Sequence, residues 1–435
     1  MTQRGICPNC FTRGSYHDEH CTRCGYQKQG ERDRRALPAG YVLQDAYYLG
    51  RILGIGGFGI TYLGNRTQSG HGGEICAIKE YFPQEWAIRG EDGTRLIPCG
   101  WAVDKIYSHG LDVFVNEARI LKGLREDRTI VNIENFFQAN NTAYLVMEYV
   151  RGDTLVSYMK KQGQPFSVGQ ANWIVQNVAE SLGMIHSFGL LHRDISPDNI
   201  MITVSGGVKL IDFGSTRQFV MNEATDMSVL IKPGFAPMEQ YSRSGRQGPW
   251  TDVYALAATY YYMVTGKKPL TAVDRCSGET LKTLQEMNPA IPPAVSDFIA
   301  RAMEMDYTKR VHTMREFVEG LHYASDNPNA VRKVPHILMK TKKQTRKWKF
   351  DAGQSIKIGR AKGECDIFIS GEGISRIHCE VRYDIQRQLF QVMDYSSNGT
   401  YTDRGLIGKG RYAELLPGAS FYLVIRENQF YLEVK

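Results

Sequence analysis

The stretch Leu191-His192-Arg193-Asp194-Ile195-Ser196-Pro197-Asp198-Asn199 decides how this chain is read. A carboxylate and a carboxamide stand five residues apart in a proline-bearing loop. Thirteen residues after Asn199 comes Asp212-Phe213-Gly214. Asp194, Asn199 and Asp212 are three oxygen-bearing side chains at a telling separation. Together they suit phosphoryl transfer: one accepts a hydroxyl proton, and two hold Mg²⁺ against a nucleoside triphosphate.

The residues upstream supply what such a loop needs. Gly54-Ile55-Gly56-Gly57-Phe58-Gly59 lies between two strand-like runs, Tyr47 to Leu53 and Ile60 to Leu63. A glycine hairpin lets backbone N–H groups close over phosphates without Cβ obstruction. Cys76-Ala77-Ile78-Lys79 is a buried-type strand ending in a lysine that would reach the α/β-phosphates. Such a lysine needs an acidic partner. Glu117 fits, on a helical segment where Phe114, Ala118 and Leu121 share a face. The plain alternative for Glu117 is a solvated helix charge.

Over some 280 residues the chain resembles a protein kinase domain of the Ser/Thr type, and more narrowly the bacterial Hanks-type kinases. The resemblance implies a mostly β N-lobe (41–150), a helical C-lobe (151–323) and ATP between them. Leu53 and Ala77 would cover the adenine. Met147 looks like the gatekeeper, with Glu148-Tyr149-Val150 as the hinge. Asp153 lies where the family contacts ribose. Asp194 resembles the catalytic base, and Asn199 and Asp212 the Mg²⁺ ligands. Ala236-Pro237-Met238-Glu239 resembles the Ala-Pro-Glu element, which pairs Glu239 with Arg310. Asp252 would anchor the catalytic loop's backbone.

Two positions depart from the family pattern. Ser196 stands where Ser/Thr kinases usually carry a lysine on the γ-phosphate. Lys232 stands where they usually carry a threonine. One reading has Lys232 restore the charge Ser196 lacks; the other leaves Lys232 in solvent. Arg193 would read a phosphorylated activation loop. Thr216, Thr225 and Ser228 are candidates for that modification, with Thr225 and Ser228 preferred.

At the N-terminus, Cys7-Pro8-Asn9-Cys10 and Cys21-Thr22-Arg23-Cys24 are two C-x2-C pairs. Four thiolates from two tight turns suit structural Zn²⁺, and a metal would supply the folding energy of so short a segment. A redox pair is the rival reading. The segment (1–30) resembles a short zinc ribbon, and its aromatic and basic residues fit a solvated surface as well as nucleic acid. Residues 31–40 read as a linker.

Beyond a polar breaker cluster (linker 324–335), short alternating runs with Gly- and Ser-rich turns predict a β-sandwich. On its loops lie Gly359-Arg360, Ser375-Arg376-Ile377-His378 and Ser396-Ser397-Asn398-Gly399. Arginine, hydroxyl and amide converging on one edge make a phosphate site. Residues 336–435 resemble a forkhead-associated (FHA) domain. That implies Arg360 and Ser375 on the phosphate of a phosphothreonine, Arg376 and Asn398 on phosphate or peptide backbone, Ser397 assisting, and His378 as a buttress.

Length and composition suit a multidomain globular protein, and the resemblances imply a multidomain α+β fold. The chain has 435 residues, 42% apolar and 23% charged, with a mild net charge of +7. No apolar run approaches the roughly 18 residues a membrane span requires. The expectation is a cytoplasmic kinase using ATP and Mg²⁺, with structural Zn²⁺. It would act on proteins and bind phosphothreonine, its own phosphorylated form included. A pseudokinase scaffold and a kinase tethered to nucleic acid through the ribbon are the alternatives.

Overall fold

The computed structural model describes residues 5–28, 33–66, 73–124, 127–213, 217–218, 232–242, 245–328, 335–340, 345–350, 354–384, 387 and 389–434. Residues up to Asp326 form one unit and those from Asn327 a second.

In the first unit, β1 (Tyr47–Gly56), β2 (Gly59–Arg66) and β3 (Glu74–Tyr81) form an antiparallel meander. Six consecutive residues of β3 are buried. Such a run arises where both faces of a strand are covered. One cover is α1 (Trp101–Lys122), which turns Tyr107, Phe114, Glu117, Ala118 and Leu121 inward at helical spacing. Strands β4 (Ile133–Ala139) and β5 (Thr142–Glu148) extend the sheet, with β5 beside β3.

Of the stretch expected to be a linker, the described residues from Ala36 to Gly40 are packed down. Ala36 and Leu37 are buried, the Leu37 N–H donates to the Tyr62 hydroxyl (3.0 Å), and Gly40 N–H donates to Leu49 O (2.8 Å). Two apolar residues in a charged stretch suffice to dock it. The long insert after Lys79 folds as a small hairpin, Ala87–Arg89 with Leu96–Pro98, and then runs into α1. Arg89 ties the hairpin to Glu80 (2.8 and 2.7 Å), and the Tyr62 and Tyr144 hydroxyls donate to the same carboxylate (2.8 and 2.9 Å). Glu80 has no exposed surface, and a buried charge persists only when paired in this way.

The helical lobe begins after β6 (Gly152–Thr154). Helix α2 (Val168–Ser187) starts at a capping box made by Ser167 and Gln170. It buries Ile174, Val178, Leu182 and Ile185. A small sheet pairs β6 with β7 (Ile200–Thr203), and β7 with β8 (Val208–Leu210). The loop 191–199 lies between α2 and β7, and Asp212 follows β8. Beneath them α3 (Pro249–Thr265) is buried over almost its whole length.

The second unit is a β-sandwich. Among the described residues one sheet has five strands and the other six. Within the first, β9 (Ser355–Gly359), β10 (Cys379–Asp384) and β11 (Leu389–Asp394) lie side by side. Burial alternates along β10 and β11, so Val381, Tyr383, Phe390 and Val392 meet Phe421, Phe430 and Leu432 in one core.

Candidate active site

The loop 191–199 is held from below by one carboxylate. Asp252, wholly buried in the first turn of α3, accepts from His192 N (2.9 Å) and Arg193 N (2.8 Å) and pairs with His186 Nε2 (2.8 Å). Burial opposes its charge, but the hydrogen bond and charge of His186, helped by the Arg193 N–H, outweigh burial and lower its pKa. Above it, buried His192 is pushed down to about 4, chiefly by desolvation, so it is a neutral packing ring against Phe213 (centroids 4.8 Å). Arg193 and Asp212 both adopt positive φ (64° and 66°), a cost non-glycine residues accept where the surroundings enforce it.

Asp194 lies above this support. Asn199 Nδ2 donates to its carbonyl (2.7 Å) and its carboxylate (2.8 Å), which turns the amide oxygen of Asn199 away from Asp194. Burial raises the pKa of Asp194 above the ordinary carboxylate value; Lys232 pulls it back and Asp212 adds to the rise. Lys232 Nζ donates to Ser196 Oγ (2.8 Å) and lies 3.5 Å from Asp194 and 3.8 Å from Asp198. The two residues that depart from the family pattern therefore touch each other beside Asp194.

Across the cleft, Lys79 ion-pairs with Asp212. Glu117, its expected partner, lies buried on α1. Ala77 and Met147 are cross-strand neighbours on β3 and β5, both nearly buried. The Glu148 N–H is spent on Asn132 O, and its carboxylate takes Asn132 N and Lys209. Asp153 is paired with Lys161. In the glycine hairpin, Gly54 has open space where a Cβ would stand and Gly56 nearly so, whereas a Cβ on Gly59 would meet Glu80 O at 2.6 Å. Gly54 and Gly56 leave a cradle, and Gly59 permits close packing.

Sequence reasoning missed two glutamines, one that holds this hairpin and one that holds the loop 191–199. Gln84 donates from its backbone to Gly57 O (3.0 Å) and from its side chain to Gly56 O (2.6 Å). Gln240 reaches from the Ala-Pro-Glu-like element to Arg193 O (2.8 Å). Neither carries a motif signal. Behind that element Arg310 forks onto Glu239 (2.6 and 3.2 Å), as expected. Thr216, Thr225 and Ser228 lie outside the described residues.

At the N-terminus the four sulfurs of Cys7, Cys10, Cys21 and Cys24 lie within 4.8 Å of one another, and the Cys7–Cys24 and Cys10–Cys21 pairs are 3.7 Å apart. A tetrahedron of Zn–S bonds near 2.3 Å has edges of roughly 3.8 Å, so the cage fits zinc. The two turns match: Phe11 N–H donates to Cys7 O and Gly25 N–H to Cys21 O, each residue at positive φ. His17 turns instead to Gly14 O.

In the second unit three loops meet at one end of the sandwich. Arg360 N–H donates to Ser375 O (3.1 Å), Ser397 N–H to Ser375 Oγ (3.2 Å), and Asn398 Nδ2 to Gly373 O (2.9 Å). Buried His378 takes Ser375 N–H on Nδ1 (3.1 Å) and lies 3.1 Å from Gly399 O through Nε2. It bolts two loops together, and burial lowers its pKa. Arg360 is exposed, while Arg376 is drawn to Glu364.

Comparison with known proteins matches residues 47–320, more than half of the chain, to the protein kinase domain. The chain belongs to the protein kinase family. A second match, to the FHA domain, covers residues 356–424 of this kinase. The kinase is 32% identical to the serine/threonine-protein kinase PknA of Nostoc sp. over 289 residues, which is 64% of this chain and 47% of that protein. It is 31% identical to the serine/threonine-protein kinase D of Synechocystis sp., over 64% of this chain and 52% of that one. The chain thus spans about half the length of these relatives. A solved structure, the PpkA-294 apo form, superposes with a TM-score of 0.55 at 32% identity, covering 66% of this chain and 99% of that one. Among the described residues no helix is long and apolar enough to cross a membrane.

Proposed function

We propose that this chain is an ATP-dependent serine/threonine protein kinase whose FHA domain reads phosphothreonine. The observation that carries the proposal is the convergence of Asp194, Asn199, Lys232, Asp212 and Lys79 beside an open glycine cradle. Asp194 orients the substrate hydroxyl and takes its proton as the oxygen attacks the γ-phosphorus and the bond to the ADP oxygen breaks. Its raised pKa makes it a better proton acceptor than a solvated carboxylate. Mg²⁺ bound with ATP neutralises the phosphate oxygens. Asn199 and Asp212 are the oxygen donors suited to hold it. Lys79 would leave Asp212 for the α/β-phosphates, with Glu117 supporting it from α1. Leu53, Ala77 and Met147 line the adenine side. The spent Glu148 N–H leaves its carbonyl and the Val150 N–H as hinge contacts, and Asp153 would exchange Lys161 for the ribose. Transfer of labelled phosphate from ATP to serine or threonine tests the proposal.

Lys232 is assigned the charge that Ser196 lacks. Lys232→Met is expected to lower kcat by roughly 10²-fold, the worth of one preorganised donor. The sign of its pH effect follows from the site. Lys232 depresses the pKa of Asp194, so its removal lets that pKa rise further. A base works only above its pKa, so the acid limb of the kcat/KM profile moves to higher pH, and Lys232→Arg restores it. Unchanged turnover with an unmoved limb would assign Lys232 to solvent.

In the FHA domain, Arg360 and the Ser375 hydroxyl are the proposed phosphate donors. Arg376, Ser397 and Asn398 frame the peptide. Hydrogen bonds to a charged group contribute about 1.5–3 kcal/mol, so Arg360→Ala should weaken a phosphothreonine peptide roughly 10- to 100-fold in a polarisation titration. Arg376→Ala should cost less, because Glu364 already occupies that side chain. Equal affinities of Arg360→Ala and wild type would reject the assignment.

A further inference from the structure

The cysteine cage does not hang free. Its first turn, between Cys7 and Cys10, is seated on β1, the strand that enters the glycine hairpin. Pro8 O accepts the Arg51 N–H (2.8 Å), and Asn9 Oδ1 accepts Arg51 Nε (2.7 Å). Asn9 also donates from Nδ2 to Cys24 Sγ (3.6 Å) and from its N–H to Cys7 Sγ (3.4 Å). One side chain therefore joins the thiolate cage to Arg51. The Phe11 ring meets Tyr48 edge-on, with centroids 6.0 Å apart.

The strand is adapted to this seat. The pairing of β1 with β2 shifts register between Leu49 and Ile52, at Gly50 and Arg51, and the Arg51 N–H goes to the turn. A Cβ on Gly50 would stand 2.2 Å from Pro8 O and 2.7 Å from the Phe11 ring. Glycine inside a strand marks close approach of another backbone, and here that backbone belongs to the metal-holding turn. Leu53 and Gly54 of the nucleotide loop follow Arg51 within three residues.

We propose that the metal-holding turn 7–10 is a positioning element for the nucleotide loop. A filled cage fixes the Pro8 carbonyl and the Asn9 side chain. These fix Gly50 and Arg51 in the middle of β1, and so the height of the glycine cradle over the phosphates. Arg51 and Asn9 are positioning residues and touch no reacting atom. The inference rests on the proposed zinc and ATP sites, and it assigns the cage a role in nucleotide affinity rather than in stability alone.

The test uses the full chain. Gly50→Ala breaks the seat sterically and leaves all four cysteines. Arg51→Met removes the guanidinium bond to Asn9 with no added crowding and keeps the main-chain bond to Pro8. Zinc content, the Kd of adenylyl imidodiphosphate with Mg²⁺, the KM for ATP, and hydrogen exchange of residues 47–59 are measured for each. Both variants are expected to retain one zinc. Their nucleotide Kd and KM should rise roughly three- to tenfold, about the worth of one net hydrogen bond, with kcat within about twofold and faster exchange in 47–59. Cys21→Ser, which loses the metal, should show the same shift. Wild-type Kd and wild-type exchange in Arg51→Met with zinc retained overturn the inference and leave the proposed function standing. A wild-type chain that binds neither zinc nor nucleotide overturns both.

Discussion

Asp194→Asn is expected to lower kcat roughly 10²- to 10⁴-fold, the usual contribution of a positioned general base. The melting temperature should hold or rise. The reason lies in the sign of the Asp194 shift. Burial raises its folded-state pKa, so the ionised form costs stability at neutral pH, and a neutral isostere removes that cost. The asparagine can still accept the Asn199 Nδ2 hydrogen bond. ATP binding should survive, since Lys79, Asp212 and the glycine cradle are untouched. Loss of activity together with loss of folding would be the wrong signature. It would make Asp194 a structural residue.

Arg310→Met should have the largest effect on stability. Arg310 has no exposed side-chain surface and Glu239 only 5%. The guanidinium forks onto Glu239, donates to Glu304 O (2.8 Å) and Trp250 O (3.0 Å), and lies over the Tyr254 ring (5.0 Å). The Thr251 hydroxyl also donates to Glu239 (3.1 Å). Removing one partner of a buried pair strands the other's charge and costs about 3–5 kcal/mol. In a domain of this size that lowers Tm by roughly 10 °C. The added change Glu239→Gln should recover part of the loss, because it removes the stranded charge. An Arg310→Met chain melting with wild type would show that the pair contributes nothing.

Motifs were legible where chemistry demands fixed residue types at fixed spacing. Asp194 and Asn199 bond each other because they share one loop, and Asp252 and Arg310 hold the backbone and carboxylate expected of them. The four cysteines met because two turns of identical spacing bring four sulfurs together. The sandwich was legible in its short alternating runs, and the loops that carry Arg360, Ser375 and Ser397 do gather at one end.

Less legible were contacts between distant residues with no motif of their own. Lys79 pairs with Asp212, 133 residues away, a contact that no motif spacing announces. Residues 31–40 read as a charged linker because their charges mask Ala36 and Leu37, which are buried. Gly50 offered a faint signal, a glycine within a strand-like run, but its partner at Pro8 lies 42 residues upstream. The exchange between Ser196 and Lys232 was readable as a pair of anomalies, and the 2.8 Å hydrogen bond turns that pair into a contact.

The most direct measurement is phosphoryl transfer by the purified chain. Wild type and Asp194→Asn are incubated with γ-labelled ATP and Mg²⁺, with and without a generic protein substrate, and the labelled residues are mapped by mass spectrometry. The account predicts label on serine and threonine with wild type and at least a hundredfold less with Asp194→Asn, at equal ATP affinity. Wild-type chain that binds ATP with Mg²⁺ yet transfers no label would contradict it, and would make the loop 191–199 part of a scaffold.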